Sequence, residues 1–448
     1  MKMMIRSRPI FIVYILLLIG QACSFSLGAT PTEQTGQPAS KESILPTPKP
    51  DLPIYEALVT FQVDVSANTP PGEGIYLVIL DEVTGLMLNP QRYLMQAESA
   101  KHYSLRLPFP LGSVVKYRYA RQSTSSVDEY TSDGLPVRYR MYYVANPGAT
   151  QDIVARWMDT NFVDKVGYLE GTVTDAKGSA PLSGILVAFG GIQTFTAEDG
   201  TYFMKNLPLG TQNLVAYAVD GSYRVFQQGA VIATDVITNA PIQLSKAAQV
   251  SLVFVVTVPD GTPPMATVRL AGNLLQLGNT FSDLAVGANT LVERMPVLQK
   301  LPDGSYATNL TLPVGADLRY KYTLGDGFWN AEHNARGDFV IRQLIVPDTN
   351  KLMRDHIGTW RDGQLEPLSF EFTAPASIPA SETISIQFYV YDWTQSIPAW
   401  SLGGSNWTYI LFSPLKLLKD ATLNHRFCHN DQCEGGVSTG GSRGGSDF

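Results

Sequence analysis

Four side chains able to bind a metal or form a cross-link fall within nine residues: His425, Cys428, His429 and Cys433. Zinc takes four such nitrogen and sulfur ligands, whereas two neighbouring thiols in an oxidising compartment pair with each other. The Cys428–Cys433 spacing points to a short disulfide loop, with a zinc site and free thiols as the alternatives. A second constellation lies in one Gly-rich loop, where Trp329 is followed by Glu332 and Asn334. A sugar ring has an apolar C–H face and a rim of hydroxyls. An indole offers broad, stiff area to the face, and carboxylate and amide groups serve the rim. The competing reading has Trp329 plugging the end of a sandwich. No nucleophile–base arrangement emerges, and no His-Glu-x-x-His occurs in the chain. Glycosidase chemistry would need two carboxylates across a cleft, and the loop acids have no evident opposing partner. The expectation is a non-catalytic protein without cofactor or metal.

The chain of 448 residues allows roughly three domains near 150 residues, or four compact β modules near 100. Charged residues are only 16%, while Gly (38), Pro (29) and Tyr (21) are abundant, which suits short strands and turns. A net charge of −7, from 33 basic and 40 acidic residues, disfavours nucleic acid as a partner. Lys2, Arg6 and Arg8 precede an apolar run from Ile10 to Ile19, the form of a secretory signal too short to span a bilayer. Cys23 follows directly, and the stretch from Leu18 to Cys23 resembles a bacterial lipoprotein signal. That resemblance implies acylation of Cys23 and a membrane anchor on an exported, cell-surface protein. Residues 1–22 are therefore expected to be the signal. Residues 23–56 form a Pro/Thr/Ser-rich linker, with six prolines between Thr30 and Pro53 and too little apolar surface to fold.

The remainder alternates apolar and polar residues with period two, as in Val59 to Val65 and Ser251 to Thr257, and carries no sustained helical period. It also repeats. Phe61 and Thr69-Pro-Pro71 return as Phe254 and Thr262-Pro-Pro264 at an offset of 193, and Lys116-Tyr-Arg-Tyr119 and Trp157-Met-Asp159 return as Arg319-Tyr-Lys-Tyr322 and Trp360-Arg-Asp362 at 203. Trp157 and Trp360, at matching strand ends, read as core. A third copy starts at Leu368, with His425 and Phe427 answering Tyr117 and Tyr119 at 308. Only 21 residues follow Phe427, against 38 from Tyr119 to Trp157, and the last fourteen hold six glycines, so the third copy is expected to lack its closing strands.

Residues 166–246 differ in kind. Gly171 to Asp175, Pro181 to Ala188, Thr196 to Phe203 and Asn206 to Gly210 resemble the carboxypeptidase regulatory-like family. The resemblance implies a seven-stranded, transthyretin-like sandwich without catalytic residues, a spacer or interaction platform. In the second copy, Val268 to Gly272, Leu277-Gly-Asn279, Leu318 to Tyr322 and Phe328 to Arg336 resemble the starch-binding domain, the family 20 carbohydrate-binding module. That family uses a tryptophan from each of an earlier and a later motif. Trp329 matches the later one, and Phe281 stands one position late for the earlier. The resemblance implies a sugar site from Trp329, Glu332, Asn334, Asn279 and Phe281. In the first copy Trp329 is replaced by Ser126.

The expected fold is all-β: tandem immunoglobulin-like and prealbumin-like β-sandwiches after signal and linker. Copy one spans 57–162, the carboxypeptidase regulatory-like module 166–246, copy two 248–364, and the incomplete third copy 366–448. The expected function is non-catalytic, surface-anchored binding of a starch or α-glucan-like polysaccharide. Its rivals are the ancillary front of a glycoside hydrolase whose catalytic domain lies beyond Phe448, and a structural stalk or adhesion lipoprotein.

Overall fold

Strand alternation dictates the architecture. In Glu56–Asp64 every second side chain is buried, with Val59, Phe61 and Val63 at 0% exposure, because successive strand residues face opposite sides. Repeating that pattern yields eight sheets that pair into β-sandwiches, with two short 3₁₀ turns as the helical elements among the described residues. The computed structural model describes residues 55–447 except 81–90, 123–124, 235, 279–290, 326–329, 339, 341, 362–365, 375–378, 380–381, 390–392, 414–421, 431 and 435–443. The expected signal peptide and Cys23, and all of the expected linker up to residue 54, lie outside the described residues.

The first and second repeats are built alike. Glu56–Asp64 pairs antiparallel with His102–Pro110 and parallel with Gly148–Ile153; Gln249–Thr257 pairs antiparallel with Tyr306–Pro313 and parallel with Lys351–His356. The opposing sheet centres on Val114–Gln122 in one and on Asp317–Thr323 in the other. The middle module repeats the scheme, its strand Val166–Asp175 lying between Thr201–Pro208 and the parallel Ile237–Asn239. Gly200 and Gly210, at the ends of neighbouring strands, have φ of 76° and 123°. A Cβ on Gly200 would lie 2.6 Å from the Val173 carbonyl oxygen.

In the third repeat Leu368–Thr373 pairs antiparallel with Asn406–Leu411, and Ile384–Tyr389 with Thr422–His429. Cys428 and Cys433 are joined in a disulfide across a tight hairpin. In the Gly-rich tail, Gly444–Asp447 pairs antiparallel with Thr422–His425. Glycine lacks a side chain to pack but keeps both backbone hydrogen-bonding groups.

Several strands lose their alternation because the modules pack on one another. Val115, Tyr117 and Tyr119 fill the core of the first repeat, while Val114, Ala120, Tyr139 and Met141 face outward into a second apolar cluster with Leu186, Ala188, Val215 and Tyr217 of the middle module. All five residues of Ile185–Phe189 are consequently buried. Lys116, 3% exposed, holds its ammonium 4.9 Å from the Tyr139 ring centre and 5.8 Å from that of Tyr217. Polar contacts close the rim: Asn213 Nδ2 donates to Met141 O at 3.0 Å, and the Tyr143 N–H to Gln227 Oε1 at 2.7 Å.

Leu186 belongs to the interface rather than to its own module's core. Leu186→Ala should lower stability by about 2–5 kcal/mol and loosen the first repeat as well as the middle module. Urea unfolding with hydrogen exchange on both modules checks this; a change confined to the middle module would contradict the packing.

Candidate functional site

The predicted sugar residues divide sharply. Trp329, Asn279 and Phe281 lie outside the described residues. Glu332 is described, and its role must be corrected: it is 1% exposed and cannot reach a solvent-borne sugar. Its Oε1 accepts the Tyr322 N–H at 2.9 Å, and its Oε2 accepts Arg342 Nη2 at 2.7 Å. Asn334 is half-buried and is used by its own turn, with Oδ1 accepting the N–H groups of Arg336 and Asp338 at 2.8 and 3.0 Å. The sequence misassigned Glu332 because a glutamate three residues past a tryptophan in a Gly-rich stretch has the composition of a surface loop. The chain there has already re-entered the sheet, as the Thr323–Ala331 bridge shows.

Glu332 instead belongs to a buried cluster. Arg342 Nη1 donates to Asp355 Oδ1 at 3.2 Å, and the hydroxyls of Tyr320 and Tyr322 donate to Asp355 Oδ2 at 3.0 and 2.8 Å. The first repeat holds the same cluster. Arg140 bridges Glu129 at 2.8 Å and Asp152 at 3.2 Å, and Tyr117 and Tyr119 each donate to Asp152 at 2.8 Å. Arg140 also donates to the Ile153 carbonyl, as Arg342 does to that of His356. The offset between copies could have revealed this set, since Glu129 and Asp152 return as Glu332 and Asp355 at the same 203. In the third repeat the tyrosine positions hold His425 and Phe427, and His425 packs against Phe370 at 4.7 Å between ring centres. Trp157 and Trp360 are core, at 0% and 2% exposure, and their indole N–H groups donate to Thr69 and Thr262.

Burial sets the protonation of these groups. Desolvation, with Asp152 or Asp355 beside them, holds the phenols of Tyr117, Tyr119, Tyr320 and Tyr322 well above their ordinary value. Burial also pushes the Glu332 carboxyl up, opposed by Arg342. Each carboxylate is committed to an arginine of its own module, so the clusters are internal supports and not paired acids across a cleft.

Asn330, the neighbour of Trp329, is fully buried at the junction with the third repeat. Its Nδ2 donates to Ile410 O at 2.7 Å and its Oδ1 accepts the Phe412 N–H at 2.9 Å, so one side chain imitates a ladder partner. An open cleft of about 540 Å³ lies where the middle module meets the second repeat, lined by residues including Asp220, Ser222, Gln276 and Arg294. Asp220 Oδ1 there already accepts from the Ser222 N–H and hydroxyl. Among the described residues no group of three or more His, Cys, Asp and Glu could hold a metal.

No protein-family model matches this chain, and no curated protein matches it. Solved structures are similar in part. The Bacillus anthracis TIE protein is similar over 88% of this chain, at 10% identity and a TM-score of 0.18, and the chain spans 65% of that protein's length. A streptococcal ancillary pilin is similar over 67% of this chain and 99% of its own, at 9% identity and a TM-score of 0.25. A family 15 glucoamylase from Hypocrea jecorina is similar over 27% of this chain and 20% of its own, at 18% identity and a TM-score of 0.18. The sandwich architecture rests on the strand ladders themselves.

A phenol whose folded pKa is raised contributes stability in full below its unfolded pKa, near 10, and loses it as pH rises toward the folded value. Tyr117, Tyr119, Tyr320 and Tyr322 should therefore stay protonated past pH ~10 and ionise only together with alkaline unfolding. Absorbance at the phenolate band against circular dichroism checks this. Early ionisation of all tyrosines before unfolding would contradict the buried clusters.

Proposed function

We propose that the chain is an exported, non-catalytic surface scaffold, held to the membrane through lipid on Cys23, spaced from it by the Pro-rich segment and built of mutually packed β-sandwiches. The observation that carries this reading is the buried packing between successive modules. The first repeat and the middle module share an apolar cluster, and the core of the second repeat runs into that of the third. Modules strung on linkers would move independently; these hold one another's positions. The use of Glu129, Asp152, Glu332 and Asp355 as structural partners of Arg140 and Arg342 supports a non-catalytic role. Protease treatment of intact cells should leave one large resistant fragment containing the first repeat through the second. Cys23→Ser should move the protein from the membrane fraction to the medium. Separate module-sized fragments would sink the scaffold, and protection of the protein in intact cells would sink the surface location.

A second role within this reading is binding of an α-glucan by the second repeat. It is supported by the starch-binding resemblance around Trp329, without Glu332 in the ligand set and with Asn279 and Phe281 retained. Insoluble starch should retain the wild type and release Trp329→Ala at least tenfold more readily. No retention of the wild type would end the α-glucan role, and equal retention of both would remove Trp329 from it.

A further inference from the structure

The third repeat follows the plan of the other two and leaves one sheet edge open. Phe370 stands where Phe61 and Phe254 stand. It packs on His425 with ring centres 4.7 Å apart, as Phe61 does on Tyr117 at 4.9 Å and Phe254 on Tyr320 at 5.3 Å. In both sister repeats the first strand lies between two neighbours, one antiparallel and one parallel. Leu368–Thr373 has the antiparallel neighbour, Asn406–Leu411, and is the outermost strand of its sheet among the described residues. Burial records the difference. Val59, Val63, Leu252 and Val256 are at 0% exposure beside their parallel strands, whereas Leu368 and Phe372 are only partly buried.

The ladder fixes which backbone groups face the open side. The Ala374 N–H donates to the Ser405 carbonyl at 2.8 Å, and antiparallel bonding alternates, so Phe372, Phe370 and Leu368 bond to Asn406–Leu411. The N–H and C=O groups of Ser369, Glu371 and Thr373 therefore point the other way. At the matching place in the sister repeats, the Asp64 carbonyl accepts the Val154 N–H at 2.9 Å and the Thr257 carbonyl accepts the Ile357 N–H at 3.0 Å. Natural edges are blunted by Pro, Lys, a bulge or brevity. Leu368–Thr373 contains no Pro or Lys, and its ladder has no register shift.

The wall beside this edge is aromatic. In the first repeat Arg140 lies opposite Tyr117 and, with Tyr117 and Tyr119, holds Asp152 of the parallel strand. In the third repeat Gly444 takes the register position of Arg140, opposite His425, and Phe427 replaces the second tyrosine. An inward aspartate would meet no arginine at that position. Phe372 and Phe427, with ring centres 5.0 Å apart, offer apolar surface instead.

We propose that the Leu368–Thr373 edge is a docking site for an extended segment of another polypeptide, added parallel to it, with apolar side chains at its inward positions and no carboxylate among them. Main-chain hydrogen bonds supply the affinity, and the aromatic wall selects the side chains. The scaffold recruits its partner by completing the third sandwich. This role needs neither the lipid anchor nor α-glucan binding.

The test uses the full chain and a synthetic peptide of residues 349–358, the second repeat's own parallel strand, carrying Asp355→Val. Hydrogen exchange should find the amides of Ser369, Glu371 and Thr373 open in the chain alone and slowed by about tenfold or more with the peptide. The peptide with Asp355 retained should bind about tenfold more weakly. N-methylation at Met353 and at residue 355, whose amides alternate with that of Ile357 toward the neighbouring strand, should abolish binding without touching the protein's own folding. Glu371→Pro removes one open-side N–H at an exposed position, and should lose the protection of Ser369 and Thr373 at an unchanged unfolding temperature. Amides as slow in the chain alone as those of Thr60 and Gln62 would show the edge already covered and overturn the proposal. So would no protection by the peptide, or equal protection by its aspartate or N-methylated forms. Protection that rises with protein concentration in the absence of peptide would assign the edge to a second copy, and the proposal falls.

Discussion

An arginine held between two carboxylates inside a β-sandwich is the constraint around which two of these modules are organised. A buried guanidinium without partners would be prohibitively unstable, and removing one partner of such a buried pair costs about 3–5 kcal/mol. Arg140 therefore requires Glu129 from one strand and Asp152 from the opposite sheet, and Arg342 requires Glu332 and Asp355 in the same way. Asp152 and Asp355 then engage two tyrosines each, which ties the central strand of one sheet to the last strand of the other. The cluster favours the correct register over merely apolar packing. A slip of one residue would turn both tyrosines away from their aspartate.

The second organising feature is that module surfaces are not finished as surfaces. Val114, Met141 and Leu186 would be exposed apolar residues on isolated sandwiches, and they are buried only because the first repeat and the middle module meet. Asp317 accepts the Val114 N–H at 2.9 Å, joining equivalent positions of the two repeats. Asn330 does the same work at the next junction with a single amide.

How much of this was legible in the sequence depends on the range of the interaction. Alternation in Val59–Val65, the matched tryptophans and the Cys428–Cys433 pairing are local or repeated patterns, and the structure contains each of them. The buried arginine clusters show in the sequence only as carboxylates repeated at one offset, because their members come from different strands and individually resemble surface charges. Glu332 was misread for that reason. Tyr168 and Phe203, 35 residues apart, bring their ring centres within 6.0 Å only because their strands are neighbours in one sheet.

In both repeats the first strand lies parallel to a strand near the module's end, over the ladders Val59–Asp64 with Gly148–Ile153 and Leu252–Thr257 with Lys351–His356. Tension entering at the start of such a sandwich and leaving at its end pulls these neighbours in opposite directions along their length. The hydrogen bonds are then loaded simultaneously in shear and cannot peel one by one. A chain that must withstand drag or tugging gains mechanical toughness from this connectivity alone, whatever its thermodynamic stability at rest.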